Sequence, residues 1–412
     1  MDDINLDSLV PVPEARIDRR SDEEILRQLK AYCSPMTGAR NVWAYWHTGF
    51  DTMPPWIKRN IVNWVRKLGC SWKVRVVDSV PGSPTNVYRF VDKQFFPDSY
   101  NRRAMTGPFV GQLSSDFVRL SLLLVYGGVW MDVSIILIRH LDDIWSSIAD
   151  PLSPHEMAAM TMPLRPDDEH SLVNGFIAAR NGNEFIRRWH QIFLAVWENR
   201  TECTGLHAHP LLRHLKPFVP PSGESRAPDI RWTAEGMTDY LTHMLCAERL
   251  RDLDDIRDGF NGRLYFETHI LRLPALREMH YFQLRSGWDG PEEFRLLSAR
   301  YDSSSINSDE AYFRARDVVI DMLKNTSMIK LPHGPNGITT PWLADIWNQT
   351  EHQHADNQPG TFASYLRQKI LEFDQSRKLI PLAPTPLSAK LWKASLLDPC
   401  GDGVNSWPSA GD

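Results

Sequence analysis

Apolar positions recur along this chain at two periods, and the order in which those periods alternate points to an architecture. Residues 41 to 47, Asn-Val-Trp-Ala-Tyr-Trp-His, are β-branched and aromatic and end in Thr48-Gly49, which predicts a strand and its exit loop. Pro54-Pro55 opens a helix running to Leu68, with Trp56, Ile57, Ile61, Trp64, Val65 and Leu68 at helical spacing. Trp72 to Asp78 alternates again and predicts a second strand. A strand, a helix and a strand in that order imply a parallel pair joined by a right-handed crossover. After a stretch broken by Pro and Gly, Pro81 to Gly111, a helix is expected from Gln112 to Tyr126, stopped by Gly127-Gly128. Val129 to Ile138 is a nearly unbroken apolar run, the pattern of a strand buried on both faces. Asp132 interrupts it, and a buried carboxylate is costly unless it is paired or on a metal.

Further along, Ser171 to Ala179 reads as a strand, Glu184 to Glu198 as a helix, and Pro217 to Pro228 as a proline-rich loop. Thr233 to Leu250 reads as one helix, Leu264 to Leu273 as weaker strands, and Asp309 to Leu323 as a helix. Leu331 to Gly337 is a turn, and helical patches at Trp342–Trp347 and Phe362–Phe373 precede a frayed tail. Near the start, Ser21 caps a helix to Tyr32, with Glu24 placed to complete a capping box. The expected organisation is an N-terminal helical arm over 1–38, one catalytic domain over 39–345, and a helical C-terminal extension and tail over 346–412.

Composition narrows the function classes. Hydrophobic content of 42% and charged content of 24% are those of a soluble globular protein. A net charge of -5 offers no strong positive field, which argues against nucleic acid as the main partner. The 15 tryptophans are read first as packing and second as flat platforms for a base or sugar ring. Five cysteines (Cys33, Cys70, Cys203, Cys246, Cys400) without a C-x-x-C pair fit a reducing compartment and no classical zinc site. Met1 to Lys30 has no run resembling a signal peptide or membrane span, so a cytoplasmic location is expected and the sequons at Asn199, Asn325 and Asn348 are read as chance matches. His207 and His209 near Glu202 and Cys203 form only a weak zinc pattern. No nucleophile elbow, phosphate-binding loop, dinucleotide fingerprint or His-Glu-x-x-His occurs, so hydrolase, NTPase, dehydrogenase and metalloprotease readings lack a motif.

The chemistry concentrates between Ser115 and Ser134. Asp116 and Arg119 are three apart on a predicted helix and share one face. The Gly-Gly stop returns the chain toward a strand that can present Asp132, so two carboxylates and a guanidinium converge beside a parallel sheet. A diphosphate needs positive charge from Arg or from a divalent cation on carboxylate oxygens, and a departing nucleoside diphosphate needs it more.

The string Ser115-Asp116-Phe117-Val118-Arg119, followed by Tyr126-Gly127-Gly128-Val129-Trp130-Met131-Asp132-Val133-Ser134, resembles the DXD-type glycosyltransferases of family 32, particularly their capsular polysaccharide synthesis branch. The large clostridial glucosylating toxins are similar in the same spacing. Val42 to Trp46 and Met53-Pro54-Pro55 also resemble that branch's N-terminus. The resemblance implies a GT-A fold: an α/β, Rossmann-like, mostly parallel mixed sheet flanked by helices. It implies a nucleotide-sugar donor, UDP-glucose ahead of GDP-mannose, and transfer with retention at the anomeric carbon. On that likeness Asp116 and Arg119 hold the donor's sugar and ribose hydroxyls, Asp132 sits at the metal and diphosphate, and Tyr45 or Trp46 flanks the base. Mn²⁺ or Mg²⁺ is the expected cofactor. The usual motif closes on a second Asp where this chain has Ser134, a poorer ligand, so His333 in Lys330-Leu331-Pro332-His333-Gly334 is expected to help and Lys330 to neutralise a phosphate. Asp167, Asp168 and Asn174 fall where the family presents its acceptor. With no membrane segment, a soluble acceptor is expected, a small hydrophobic metabolite or a glycan. The rival readings are a toxin-like enzyme that glycosylates protein and a degenerate nucleotide-sugar-binding protein.

Overall fold

A computed structural model of the chain describes residues 6–38, 40–165, 171–219, 233–301, 310–333, 340–385 and 391–399. In chain order the elements that position the site begin with α1 (Asp22–Leu29), β1 (Asn41–Tyr45), α2 (Pro55–Leu68), β2 (Lys73–Val77), α3 (Val110–Tyr126), β3 (Gly128–Met131) and β4 (Ile135–Leu137). They continue with β5 (Met157–Met162), β6 (Ser171–Ala179), α4 (Glu184–Val196), α5 (Ala234–Tyr240), α6 (Thr242–Arg251) and β7 (Ile270–Pro274). The last are α7 (Glu310–Asn325), β8 (Met328–Lys330) and α8 (Phe362–Glu372).

The main sheet has the order β2-β1-β3-β6-β5-β7. Pairs β1/β2, β1/β3 and β5/β7 are parallel, while β6 runs against both of its neighbours. The mixed, mostly parallel α/β sheet flanked by helices is therefore the expected fold class. Helix α3 packs on α4, α4 on α6 and α6 on β6, whereas α2 packs against β4 and α8. Trp43, Trp56, Trp64, Trp130, Trp189 and Trp197 are fully buried and Trp72, Trp145, Trp342 and Trp347 nearly so, which assigns most of the tryptophan surface to packing.

Several elements form as the pattern predicts. Ser21 accepts from the Glu24 N–H at 3.2 Å and the Glu24 carboxylate accepts from the Ser21 N–H at 2.8 Å, a complete capping box. Helix α3 stops at Gly127, whose φ of +67° no β-carbon tolerates well, and Gly128 follows at +104°. A β-carbon on Gly128 would lie 2.4 Å from the Asn41 carbonyl oxygen, so β3 can approach β1 only without a side chain there.

Other elements differ. The apolar run Val129–Ile138 is two strands, because the chain turns at Asp132–Ser134, with the Ile135 N–H donating to the Asp132 carbonyl at 3.0 Å. Asp132 thus sits at the end of β3, beside the cavity described below, and not within a buried strand. The helix expected over Thr233–Leu250 is broken at Leu241 into α5 and α6. Leu264 to Leu273 begins as a helix, Gly262–Thr268, and only Ile270–Pro274 pairs in the sheet. Strand β5 has no counterpart in the sequence reading: its Met-Ala-Ala-Met-Thr-Met composition favours helix, and pairing on both edges overrides it.

An early and a late segment of the described chain pair with each other and tie to α2. Leu9–Pro11 pairs antiparallel with Phe373–Gln375. The buried Lys67 ammonium donates to the Ile370 and Phe373 carbonyls and pairs with Asp374 at 2.8 Å. Among the described residues the four cysteines Cys33, Cys70, Cys203 and Cys246 are free thiols, and no helix is long and apolar enough to cross a membrane.

Candidate active site

The carboxyl ends of β1 and β3, the first half of α3 and the strand β8 surround a cavity of about 350 Å³. That size suits a small ligand. Tyr45, Trp46, Asp116, Arg119, Asp132, Ser134, Asn174, Lys330 and His333 all line it. The structure brings together every residue of the predicted site that it describes; Asp167 and Asp168 lie outside the described residues.

Helical spacing delivers the first pair. Arg119 Nη1 donates to Asp116 Oδ1 within α3, and Arg119 Nη2 reaches Asp132 Oδ1 at 3.1 Å. The guanidinium lies over the Trp130 ring, 4.9 Å from its centroid, and is only 2% exposed. Trp130 Nε1 donates to the same Asp132 Oδ1 at 2.9 Å. A guanidinium held between two carboxylates and an aromatic face has lost most of its freedom before any ligand arrives.

Strand pairing delivers the second cation. β8 runs antiparallel to β4 with Lys330 opposite Ile135, three residues after Asp132. There Lys330 Nζ donates to Asp132 Oδ2. Gly175 supports this contact: its carbonyl accepts from the Asp132 N–H at 2.9 Å, and a β-carbon on it would lie 3.3 Å from Asp132 Oδ2 and 3.6 Å from Lys330 Cε.

Asn174 comes from an irregular part of β6. Between Ala159 and Met160 of β5 the partner on β6 jumps from Ile177 to Val173. Such irregularities re-aim side chains next to active sites. Asn174 Nδ2 donates to Asp116 Oδ1 at 3.0 Å and lies 3.1 Å from His243 Nδ1. Because a carboxylate accepts, the amide nitrogen faces Asp116, and the His243 Nδ1 beside it acts as an acceptor. His243 is fully buried between Trp189 and Phe193, and burial together with Arg119 holds its pKa far below the ordinary imidazole range.

Burial drives the Asp116 pKa up to about 6, against the pull of Arg119, and the Asp132 charge adds to the rise. Asp132 goes the other way. Burial raises it, but Lys330 and Arg119 together outweigh burial and hold it below the ordinary carboxylate range.

The aromatic wall is Tyr45 and Trp46. The Tyr45 hydroxyl shares a hydrogen bond with Ser79 Oγ at 2.6 Å, and Trp46 Nε1 donates to Thr52 Oγ1 at 2.9 Å. Five further lining residues belong to no motif: His47, Gly111, Gln112, Tyr240 and Leu241. His47 ends the first predicted strand, and a strand's carboxyl end beside a parallel sheet is a signal that could have found it. Tyr240 and Leu241 arrive through the break between α5 and α6, for which the local sequence gives no warning.

Among the described residues no three or more His, Cys, Asp or Glu side chains gather as a metal cage. His333 pairs with Asp345 at 3.5 Å and packs on Trp56, so its help to the metal is not preformed. What is present is Asp132, a carboxylate held ionised at the cavity wall, with the Asp116 carboxylate and the Ser134 side chain lining the same cavity. That set fits an oxygen-bound ion that takes most of its shell from water and substrate phosphates.

Residues 11–205 match the family model described as capsular polysaccharide synthesis protein. The chain is 45% identical over 391 residues to O-glycosyltransferase braB of Annulohypoxylon truncatum, covering 94% of this chain and 92% of that one. It is 42% identical to O-glycosyltransferase PaGT of Phomopsis amygdali, covering 94% and 95%. It is 39% identical to Glycosyltransferase afumC of Aspergillus fumigatus, covering 94% and 99%. Nearly full-length identity at this level leaves no room for a different family, and the chain belongs with these proteins to one glycosyltransferase family.

Proposed function

We propose that this cavity moves a hexose from a nucleotide-sugar donor, UDP-glucose ahead of GDP-mannose, to a hydroxyl group of a small soluble acceptor. The observation that carries the proposal is the charge set around Asp132. Among the described lining residues two carboxylates, Asp116 and Asp132, face two cations, Arg119 and Lys330. The set is neutral as it stands, so a diphosphate with two negative charges calls for further positive charge. Mn²⁺ or Mg²⁺ on Asp132, with Ser134 and His333 at the same wall, would neutralise the diphosphate in the donor and more strongly in the leaving group.

The chain's own residues do the rest. Arg119 and Asp116 orient the donor hydroxyls, with Asn174 fixed to Asp116 beside them, and Lys330 receives phosphate oxygen. Tyr45 and Trp46 offer the faces on which a base can lie. The names of two relatives specify O-glycosyl transfer, which supports a hydroxyl acceptor. Retention of anomeric configuration follows from the resemblance set out above, and the scheme asks for no enzymic nucleophile.

The test is a panel of nucleotide sugars scored by thermal stabilisation, with and without Mn²⁺, followed by donor hydrolysis. A selective ligand raises the melting temperature by mass action, and UDP-glucose with Mn²⁺ is expected to do so most. Arg119→Ala is expected to lower donor use by about 10- to 1,000-fold through lost charged hydrogen bonds. No stabilisation by any nucleotide sugar would defeat the proposal. Stabilisation without hydrolysis or transfer would identify a binding protein, and labelled protein bands from lysate would identify a protein acceptor.

A further inference from the structure

Two cations hold the carboxylate on which the metal of the proposed function depends, and they hold different oxygens. Arg119 and Trp130 take Asp132 Oδ1, at 3.1 and 2.9 Å, and both are anchored by burial in α3 and β3. Lys330 takes Oδ2. The two oxygens differ in kind. Oδ1 is bound by groups that are themselves clamped: the guanidinium also bonds Asp116 and packs on Trp130. Oδ2 is bound by the tip of a flexible four-carbon stem that runs beside Gly175, where a β-carbon would lie 3.6 Å from Lys330 Cε. Both side chains keep about a fifth of their surface open, 19% for Lys330 and 21% for Asp132.

We infer that Lys330 is a placeholder cation: its ammonium occupies Asp132 Oδ2 until the donor diphosphate arrives, then moves to a phosphate oxygen and leaves Oδ2 to the divalent ion. This rests on the reading of Asp132 as the metal carboxylate. The physical reason is charge balance. A metal ion entering alone must displace the ammonium from its carboxylate oxygen, and it leaves the site two charges too positive. A diphosphate entering together with the ion supplies both the missing anion and a new partner for Lys330. Metal and donor therefore bind as a pair, with a favourable coupling that is reciprocal. The arrangement also keeps Asp132 ionised and aimed at the cavity while it is empty of ligand, so no reorganisation of the carboxylate is needed when the donor binds.

The experiment measures Mn²⁺ binding to the full chain by electron paramagnetic resonance of the free ion, for the unaltered protein, Lys330→Met and Lys330→Arg. It is run with the metal alone, then with UDP or GDP present. Lys330→Met is expected to bind Mn²⁺ alone about 10- to 100-fold more tightly, the range set by one lost charged hydrogen bond. Lys330→Arg, which keeps the charge, is expected to show no such gain. In EDTA, Lys330→Met is expected to bind UDP and GDP more weakly than the unaltered protein does. Adding Asp132→Asn to Lys330→Met should erase the gained Mn²⁺ binding, which places it at this carboxylate, and melting curves check that each variant folds. Unchanged or weaker Mn²⁺ binding by folded Lys330→Met, or unchanged diphosphate binding in EDTA, overturns the inference. If the unaltered protein binds no Mn²⁺ even with UDP or GDP, the metal reading itself fails, and that result is distinct from the first two.

Discussion

Asp116 is a buried carboxyl whose pKa is pushed up to about 6, so it changes charge within the range of an ordinary assay. Its folded pKa lies above the ordinary 3.8, so the stabilising share of protonation is fully present below about pH 3.8 and is lost as pH rises through about 6. Activity runs the opposite way, because the ionised carboxylate pairs with the Arg119 charge and accepts at both oxygens, whereas the protonated group loses that charge and must donate from one of them. The rate of donor use is therefore expected to fall as pH drops below about 6, and the pH profile of Asp116→Asn should lack that limb. An acid limb that survives in Asp116→Asn belongs to another group. His243 is a positioning residue in this reading: its Nδ1 accepts beside Asn174, while its buried Nε2 has no partner. An orphaned buried polar atom costs stability, so His243→Leu is expected to keep or raise the melting temperature. The same change frees the Asn174 amide and should raise the donor KM by about three- to tenfold, with little change in kcat. A lower melting temperature with an unchanged KM would make His243 a packing residue only. Asp116, Arg119 and Asp132 were legible in sequence because a helix period and a Gly-Gly stop fix their relation locally. His243 was not, since a histidine on an apolar face looks the same whether it packs or positions.

The elements around the site were legible where local chemistry decides them. The Ser21 capping box, the Pro55 start of α2 and the glycine stop of α3 each form at the expected residue. The break at Asp132 was half legible: the lone carboxylate marked the place, but the apolar residues on both sides read as one strand. Its backbone N–H is taken by Gly175 of the neighbouring β6 and its carbonyl by Ile135, so β3 ends there. Gly128 shows how tightly this element is set. Its φ of +104° and the Asn41 carbonyl 2.4 Å from a would-be β-carbon leave no room for alanine. The backbone conformation alone costs a residue with a side chain about 1–3 kcal/mol, and the collision adds to it. Gly128→Ala is expected to lower the melting temperature and remove activity together, because β3 carries Asp132. A variant with native stability would mean that β3 shifts to accommodate the methyl group.

At the scale of the whole molecule, the C-terminal segment is joined to the sheet layer by buried charge. Asp356 is 0% exposed and pairs with Arg59 of α2 and with Arg367 of α8, which also donates to Asn60 at 2.9 Å. Removing one member of a buried network leaves the others unpaired, so Asp356→Ala is expected to cost about 3–5 kcal/mol, read from a denaturant midpoint. A shift below ~1 kcal/mol would show that residues 346–412 are a loosely attached extension. The sequence by itself determined the α/β alternation, the capped and glycine-terminated helices, and the i, i+3 pairing of Asp116 with Arg119, because each follows from backbone geometry over a few residues. Only the tertiary structure decided that Lys330, 198 positions away, pairs with Asp132, and that Asn174 and His243 complete the network. Those contacts depend on which strands become neighbours and in what register, and that is settled by how the buried faces of the whole chain fit together.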